Sequence, residues 1–200
     1  SLIAGCHVDF ETIHTEGITK ITAEDMKYAK KMNMAIKLLA TSKRVGDTFS
    51  AIVAPMLLSK SHPLCNVNDV FNAVFVRGNM LGDAMFYGSG AGKLPTASAV
   101  VGDVVDAAKH LHRNVIMKWD GELLNLVPNA EAKRRFFVRI QGQNDDVKQR
   151  VTEVFGQVEM VMTDELEDEF GFITGVMSEG EYAEKAAKFP EMIHMIRMAE

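Results

Sequence analysis

The twenty residues from Tyr87 to Asp106, YGSGAGKLPTASAVVGDVVD, constrain this chain more than any other stretch. Glycines at 88, 90 and 92 free the backbone to take positive φ and let a ligand come close. Pro95 suits the first turn of a helix, where its missing N–H costs nothing. Beyond it Val100, Val101, Val104, Val105, Ala108 and Leu111 recur at helical spacing, which predicts an amphipathic helix with one buried face. A glycine turn that delivers the chain to a helix N-terminus makes an anion site, because free amides meet the positive end of the dipole there.

Two familiar phosphate loops are excluded by spacing. A Walker-type loop needs G-x-x-x-x-G-K-[ST], but counting from Gly92-Lys93 its first glycine position holds Tyr87 and its Ser/Thr position holds Leu94. A Rossmann fingerprint needs G-x-G-x-x-G inside a strand-helix-strand unit. Here Gly88, Gly90 and Gly92 are evenly spaced and the preceding strand belongs to a hairpin. On the residues alone, a structural turn and a ligand loop both remain open, and Lys93 reads either as a phosphate contact or as a solvated side chain.

Around this motif the pattern is α+β. Thr22 and Asp25 form a variant capping box for a helix running to about Asn33. Residues 35–44 and 48–58 are β-type runs joined by Val45-Gly46-Asp47, and residues 71–77 and 81–87 form a second hairpin around Gly78-Asn79. These elements predict an antiparallel sheet layer with helices on one face. Periodicity fades over 113–133, where Asp120-Gly121, Pro128 and Asn129 are turn signals, so that stretch is the expected linker between domains at 1–112 and 134–200. The second half then reads strand 134–141, helix 145–155, strands 158–164 and 170–177, helix 181–189 and strand 193–198. That β-α-β-β-α-β order is the ferredoxin-like split unit.

Composition removes several function classes. With 22 Lys+Arg against 27 Asp+Glu and a net charge of −5, the basic residues are scattered and no nucleic-acid footprint is expected. No apolar run approaches a membrane span and no basic region leads into a signal peptide, so no membrane partner is expected. Cys6 and Cys65 lie in no zinc or redox spacing and read as reduced thiols of a cytoplasmic protein. The six histidines form no i, i+4 pair, and the acidic runs at Asp145-Asp146 and Asp164 to Glu169 lack the ladder of a calcium loop, so the metal reading is none. No Ser-His-Asp order, activated cysteine or close carboxylate pair stands out. Thirteen methionines read as core filling.

The YG-x-GAG-x-x-PTASAVVGD run resembles the segment that closes the catalytic domain of the homoserine dehydrogenase family. DFETIHTEGITKITAEDM at 9–26, AIKLLA at 35–40, Val53-Ala54-Pro55, His62-Pro63-Leu64, Asn72-Ala73-Val74, Gly78 and Gly82 follow the family's order and approximate spacing over residues 1–112. The resemblance implies an oxidoreductase that interconverts L-homoserine and L-aspartate 4-semialdehyde with NAD or NADP, in threonine and methionine biosynthesis. It implies that the glycine loop approaches the nicotinamide cofactor, with Gly92 marked first, Gly90 and Ala91 beside it, and Gly88 and Gly90 shaping the turn.

The family's proton-transferring carboxylate and lysine precede the Glu16-Gly17-Ile18 segment, so no catalytic residue is expected after Ser1. The chain opens on Ser1-Leu2-Ile3-Ala4-Gly5 without an initiating Met, and is expected to be an inactive C-terminal fragment of a longer enzyme. Residues 134–200 resemble the ACT regulatory domain of many family members. Their first turn, however, carries Asn144, Asp145 and Asp146 where an ACT domain has Asp-x-x-Gly, so weak regulation or an unusual effector is expected. Family members pair through the first domain, and the half-covered strand residues Val74, Val76, Met85 and Tyr87 agree with a homodimer. The competing reading is a non-catalytic amino-acid-binding or dimerisation module. A different nucleotide-binding protein is the third.

Overall fold

A computed structural model describes residues 1–113, 116 and 120–199. In chain order the strands are β1 (Cys6–His7), β2 (His14–Thr15), β3 (Met34–Val45), β4 (Thr48–Ser59), β5 (Phe71–Gly78), β6 (Gly82–Ser89) and β7 (Asp120–Leu123). They continue with β8 (Lys133–Arg134), β9 (Phe136–Gln141), β10 (Glu159–Val161), β11 (Glu169–Ile173), β12 (Met177–Ser178) and β13 (Met192–Met198). Four helices accompany them: α1 (Ala23–Lys31), α2 (Lys93–Lys109), α3 (Asp145–Phe155) and α4 (Glu179–Ala186). Each helix read in the sequence is present, and the chain is a mixed α+β protein.

The chain divides into two compact units, residues 1–59 with 120–200 and residues 60–119. This division differs from the expected break at 113–133. The cause is a seven-stranded mixed sheet in the larger unit, ordered β10-β11-β9-β13-β4-β2, with β3 antiparallel to β4 along its whole length. One edge of β4 takes β2 at Ile52–Val53 and β13 at Met56–Leu57, both parallel. The first hairpin and the C-terminal strands therefore share one sheet. The second hairpin, β5–β6, is a separate two-stranded sheet in the smaller unit, so the two hairpins do not share one sheet.

The run FFVRIQ in β9 explains how the larger unit is layered. Side chains alternate across a strand, so Phe136, Val138 and Ile140 share one face while Phe137 and Arg139 share the other. On the first face they pack with Val147, Val151 and Phe155 of α3, Phe170 and Phe172 of β11, and Tyr182 of α4. Phe136 and Tyr182 stack there at 4.4 Å between ring centres. On the opposite face Phe137 meets Tyr28 and Ala29 of α1, Leu57 of β4, Ile173 and Ile196. A strand covered on both faces reads as a continuous apolar run, as this one does. Helices thus lie on both faces of this sheet, α3 and α4 on one and α1 on the other.

Gly171 admits that cover. A Cβ at this position would stand 2.6 Å from the Phe137 ring and 3.1 Å from the Tyr28 ring. Both rings are fully buried and cannot step aside. Overpacking of this kind costs about 1–3 kcal/mol, so Gly171→Ala is expected to lower the unfolding free energy by that amount in urea titration. An unchanged midpoint would contradict the packing of α1 on β11.

Candidate functional site

The glycine loop lies at the open end of the smaller unit's hairpin. β5 and β6 pair in register from Phe71 opposite Ser89 to Gly78 opposite Gly82. The Gly90 amide then donates to the Val70 carbonyl at 3.1 Å, extending the pairing by one residue. Gly92 is the N-cap of α2 at φ 114°, ψ 154°, and no side chain caps the helix. That φ favours glycine, because a Cβ is strained in the left-handed region. A Cβ at Gly92 would have ordinary van der Waals clearance, with the Pro95 ring at 3.5 Å, so backbone conformation rather than crowding selects this glycine.

Gly90, Ala91 and Gly92 are contiguous and solvent-exposed. Pro95 sits in the first helical turn as the sequence requires, and the Thr96 amide donates to the Gly92 carbonyl at 3.1 Å. The apolar stripe of α2 departs from expectation. Val100, Val101, Val104 and Val105 are 46–63% exposed, and no described residue of the helix is buried. A two-stranded hairpin with one helix offers too little surface to bury such a stripe.

Sequence reading did not single out the two arginines that organise the larger unit. Arg139, on the inner face of β9, makes a bidentate pair with Glu169 of β11 at 2.9 and 2.8 Å. Its remaining terminal nitrogen donates to Asp25 at 2.8 Å and to the Thr22 hydroxyl at 3.0 Å. Asp25 is completely buried; its other oxygen takes the Thr22 amide at 2.8 Å and lies 2.9 Å from His194 Nδ1. A second guanidinium, Arg197 of β13, pairs twice with Glu179 at 2.6 and 2.9 Å and once with Glu16 at 2.8 Å. His14 contacts the same Glu16 at 2.6 Å.

The signal for both clamps was present in the sequence. An arginine inside an otherwise apolar strand must find buried partners, because an unpaired charge is too costly there. Burial alone would raise the Asp25 carboxyl, yet hydrogen bonds from His194, Arg139 and the Thr22 amide outweigh it and hold it at about 2. For Glu16, burial again opposes ionisation, and bonding to Arg197 and His14 brings the carboxyl down from 4.5 to about 2. Among the described residues, no three His, Cys, Asp or Glu side chains converge as metal ligands.

Residues 1–105 match the family model described as homoserine dehydrogenase. The chain belongs to the homoserine dehydrogenase family. A Corynebacterium glutamicum homoserine dehydrogenase is 48% identical over 108 residues, covering 52% of this chain and 24% of the relative. The Pseudomonas aeruginosa homoserine dehydrogenase aligns over 190 residues at 30% identity, covering 88% of this chain and 44% of that protein. A crystal structure of the Thiobacillus denitrificans homoserine dehydrogenase superposes with a TM-score of 0.80 at 27% identity, over 96% of this chain and 48% of that one. The chain therefore spans between about a quarter and a half of the length of these homoserine dehydrogenases. The family match contains the glycine loop, Glu16 and Asp25, and the longer alignment extends beyond it into the half that supplies Arg139 and Arg197.

Both depressed carboxyls contribute stability that is complete above their ordinary values and disappears as pH falls through about 2. Unfolding free energy is expected to decline between about pH 4.5 and 2, and Asp25→Asn should flatten that decline. At neutral pH Arg139→Met should cost about 3–5 kcal/mol, since it strands two buried carboxylates. Denaturant titrations across pH check both, and a neutral-pH loss below about 1 kcal/mol would contradict the clamp.

Proposed function

We propose that this chain acts within a longer homoserine dehydrogenase that interconverts L-homoserine and L-aspartate 4-semialdehyde with NAD or NADP in threonine and methionine biosynthesis. The observation that carries the reading is the Gly90–Gly92 loop at the uncapped start of α2, inside the stretch matched to the family. The loop fits a bulky cofactor: its three residues are exposed, and the 114° φ of Gly92 turns the chain without a side chain in the way. When bound, the nicotinamide supplies the hydride chemistry, while the protein supplies orientation.

In this reading the backbone at Gly92, with Ala91 and Gly90 beside it, meets the cofactor, and the start of α2 favours its negative charge. In this reading proton transfer belongs to residues outside this chain, which covers 24% to 48% of the homoserine dehydrogenases it matches, and the chain alone turns over no homoserine. Dimerisation accounts for the smaller unit. Val74 and Val76 on one face of the hairpin, and Met85 and Tyr87 on the other, are 41–54% exposed, and with the α2 stripe they leave apolar surface that suits a second copy.

Residues 134–200 act in this reading as an ACT-like regulatory module, consistent with their antiparallel strand order β10-β11-β9-β13 and the two helices between. Asn144 caps α3 through its side-chain oxygen, which accepts the Val147 amide at 2.9 Å, and Asp145 and Asp146 follow in the first turn. Negative charge there opposes an amino-acid carboxylate, so regulation is weak or uses another effector. The protein works in the cytoplasm. No described helix is long and apolar enough to cross a membrane.

In the full-length enzyme Gly92→Val is expected to raise the KM for the nicotinamide cofactor about tenfold while moving the melting temperature by only a few degrees, as a strained exposed position would. Steady-state kinetics and thermal melts decide it. A large stability loss with unchanged kinetics would reduce the loop to a structural turn.

A further inference from the structure

Three glycines shape the loop, but the backbone demands only one of them. Gly92 has a positive φ, whereas Gly88 and Gly90 do not. At Gly88 a Cβ would meet nothing within 4 Å. Gly90 is different. A Cβ there would fall 1.7 Å from Asn72 Nδ2 and 2.8 Å from its Cγ. The Asn72 carboxamide already occupies the space that a side chain at 90 would need.

Hairpin register explains the contact. Asn72 stands opposite Gly88, so Gly90, two residues further on and held to Val70 by its amide, is its diagonal neighbour on the same face. Phe71 points to the opposite face, where its ring stacks on Tyr87 at 4.9 Å between centres and 14° between planes. The end of the hairpin is thus gripped from both sides: an aromatic pair on one face, and on the other an asparagine lying against bare backbone. The chain leaves that grip two residues before Gly92.

We propose that Asn72 is the positioning residue of the cofactor loop, and that position 90 is glycine to admit the Asn72 carboxamide rather than the cofactor. The proposal rests on the reading that this loop meets a nicotinamide cofactor. It gives Gly92 and Gly90 distinct tasks: Gly92 turns the chain and faces the ligand, whereas Gly90 is the seat on which Asn72 fixes the approach.

The test compares full-length enzyme carrying Asn72→Ala, Gly90→Ala, or both. Each single change removes the same contact, so exchange of the amide at position 90 should quicken about tenfold in either variant and no further in the double variant. The KM for the nicotinamide cofactor should rise in parallel while the KM for homoserine stays put, a split that general destabilisation does not produce. Unchanged exchange in Asn72→Ala, or effects that multiply in the double variant, would overturn the proposal. If exchange responds while cofactor KM holds, Asn72 positions the loop and the cofactor reading of the loop fails instead.

Discussion

Arg139 sets what the larger unit can be. It sits 3% exposed on a strand whose other inner residues are apolar, and its guanidinium binds Glu169 on the neighbouring strand, Asp25 and Thr22 at the start of α1. A buried guanidinium is tolerable only when its donors are matched by acceptors, and here three elements must converge for that to happen. The same Asp25 caps α1, because its carboxylate takes the Thr22 amide while the Thr22 hydroxyl takes the Asp25 amide. The helix end and the strand face are therefore fixed by one carboxylate. Arg197 repeats the arrangement farther along, tying β13 to Glu179 and to Glu16. Apolar contacts such as Tyr28 against Phe137, 5.3 Å between ring centres, supply area, and the two arginines supply the register in which that area is buried.

The smaller unit follows the opposite logic. Its helix and hairpin hold their local geometry through backbone pairing and a proline-started turn, yet keep their apolar side chains in solvent. Such a surface is characteristic of an element that completes itself against another body. That suits the cofactor loop and the contact with a second copy proposed for this segment. One part of the chain is stiffened by internal ion pairs, and the other presents a shaped loop and an apolar face.

What was legible in the sequence was local. The Thr22–Asp25 capping box, both hairpin turns and the helix with Pro95 in its first turn all follow from residue types at short spacing, and each stands where short-range rules put it. Long-range consequences were not legible. The link between the first hairpin and the C-terminal strands runs through only two paired positions, Met56 with Arg197 and Leu57 with Met198, and no local pattern announces it. Arg139 finds Asp25 across 114 residues, so the strand showed that a partner was needed without showing which. The stripe of α2 predicted an apolar face correctly, but periodicity says nothing about whether the cover comes from the same unit. The glycine loop was found as a motif, whereas the distinction between Gly90 and Gly92 needed the position of the Asn72 side chain.

The central claim is that residues 1–59 and 120–199 fold as one cooperative body held by the Arg139 and Arg197 clamps. Native-state hydrogen exchange with rising denaturant tests it directly, read at Ile52 and Ala54 of β4 and at Val138 and Ile196 of β9 and β13. All four residues are buried within the seven-stranded sheet. The account predicts that their exchange curves merge into a single global opening with one free energy and one denaturant dependence. Two separate openings, with the β4 amides released at a lower free energy while the C-terminal strands stay protected, would contradict it.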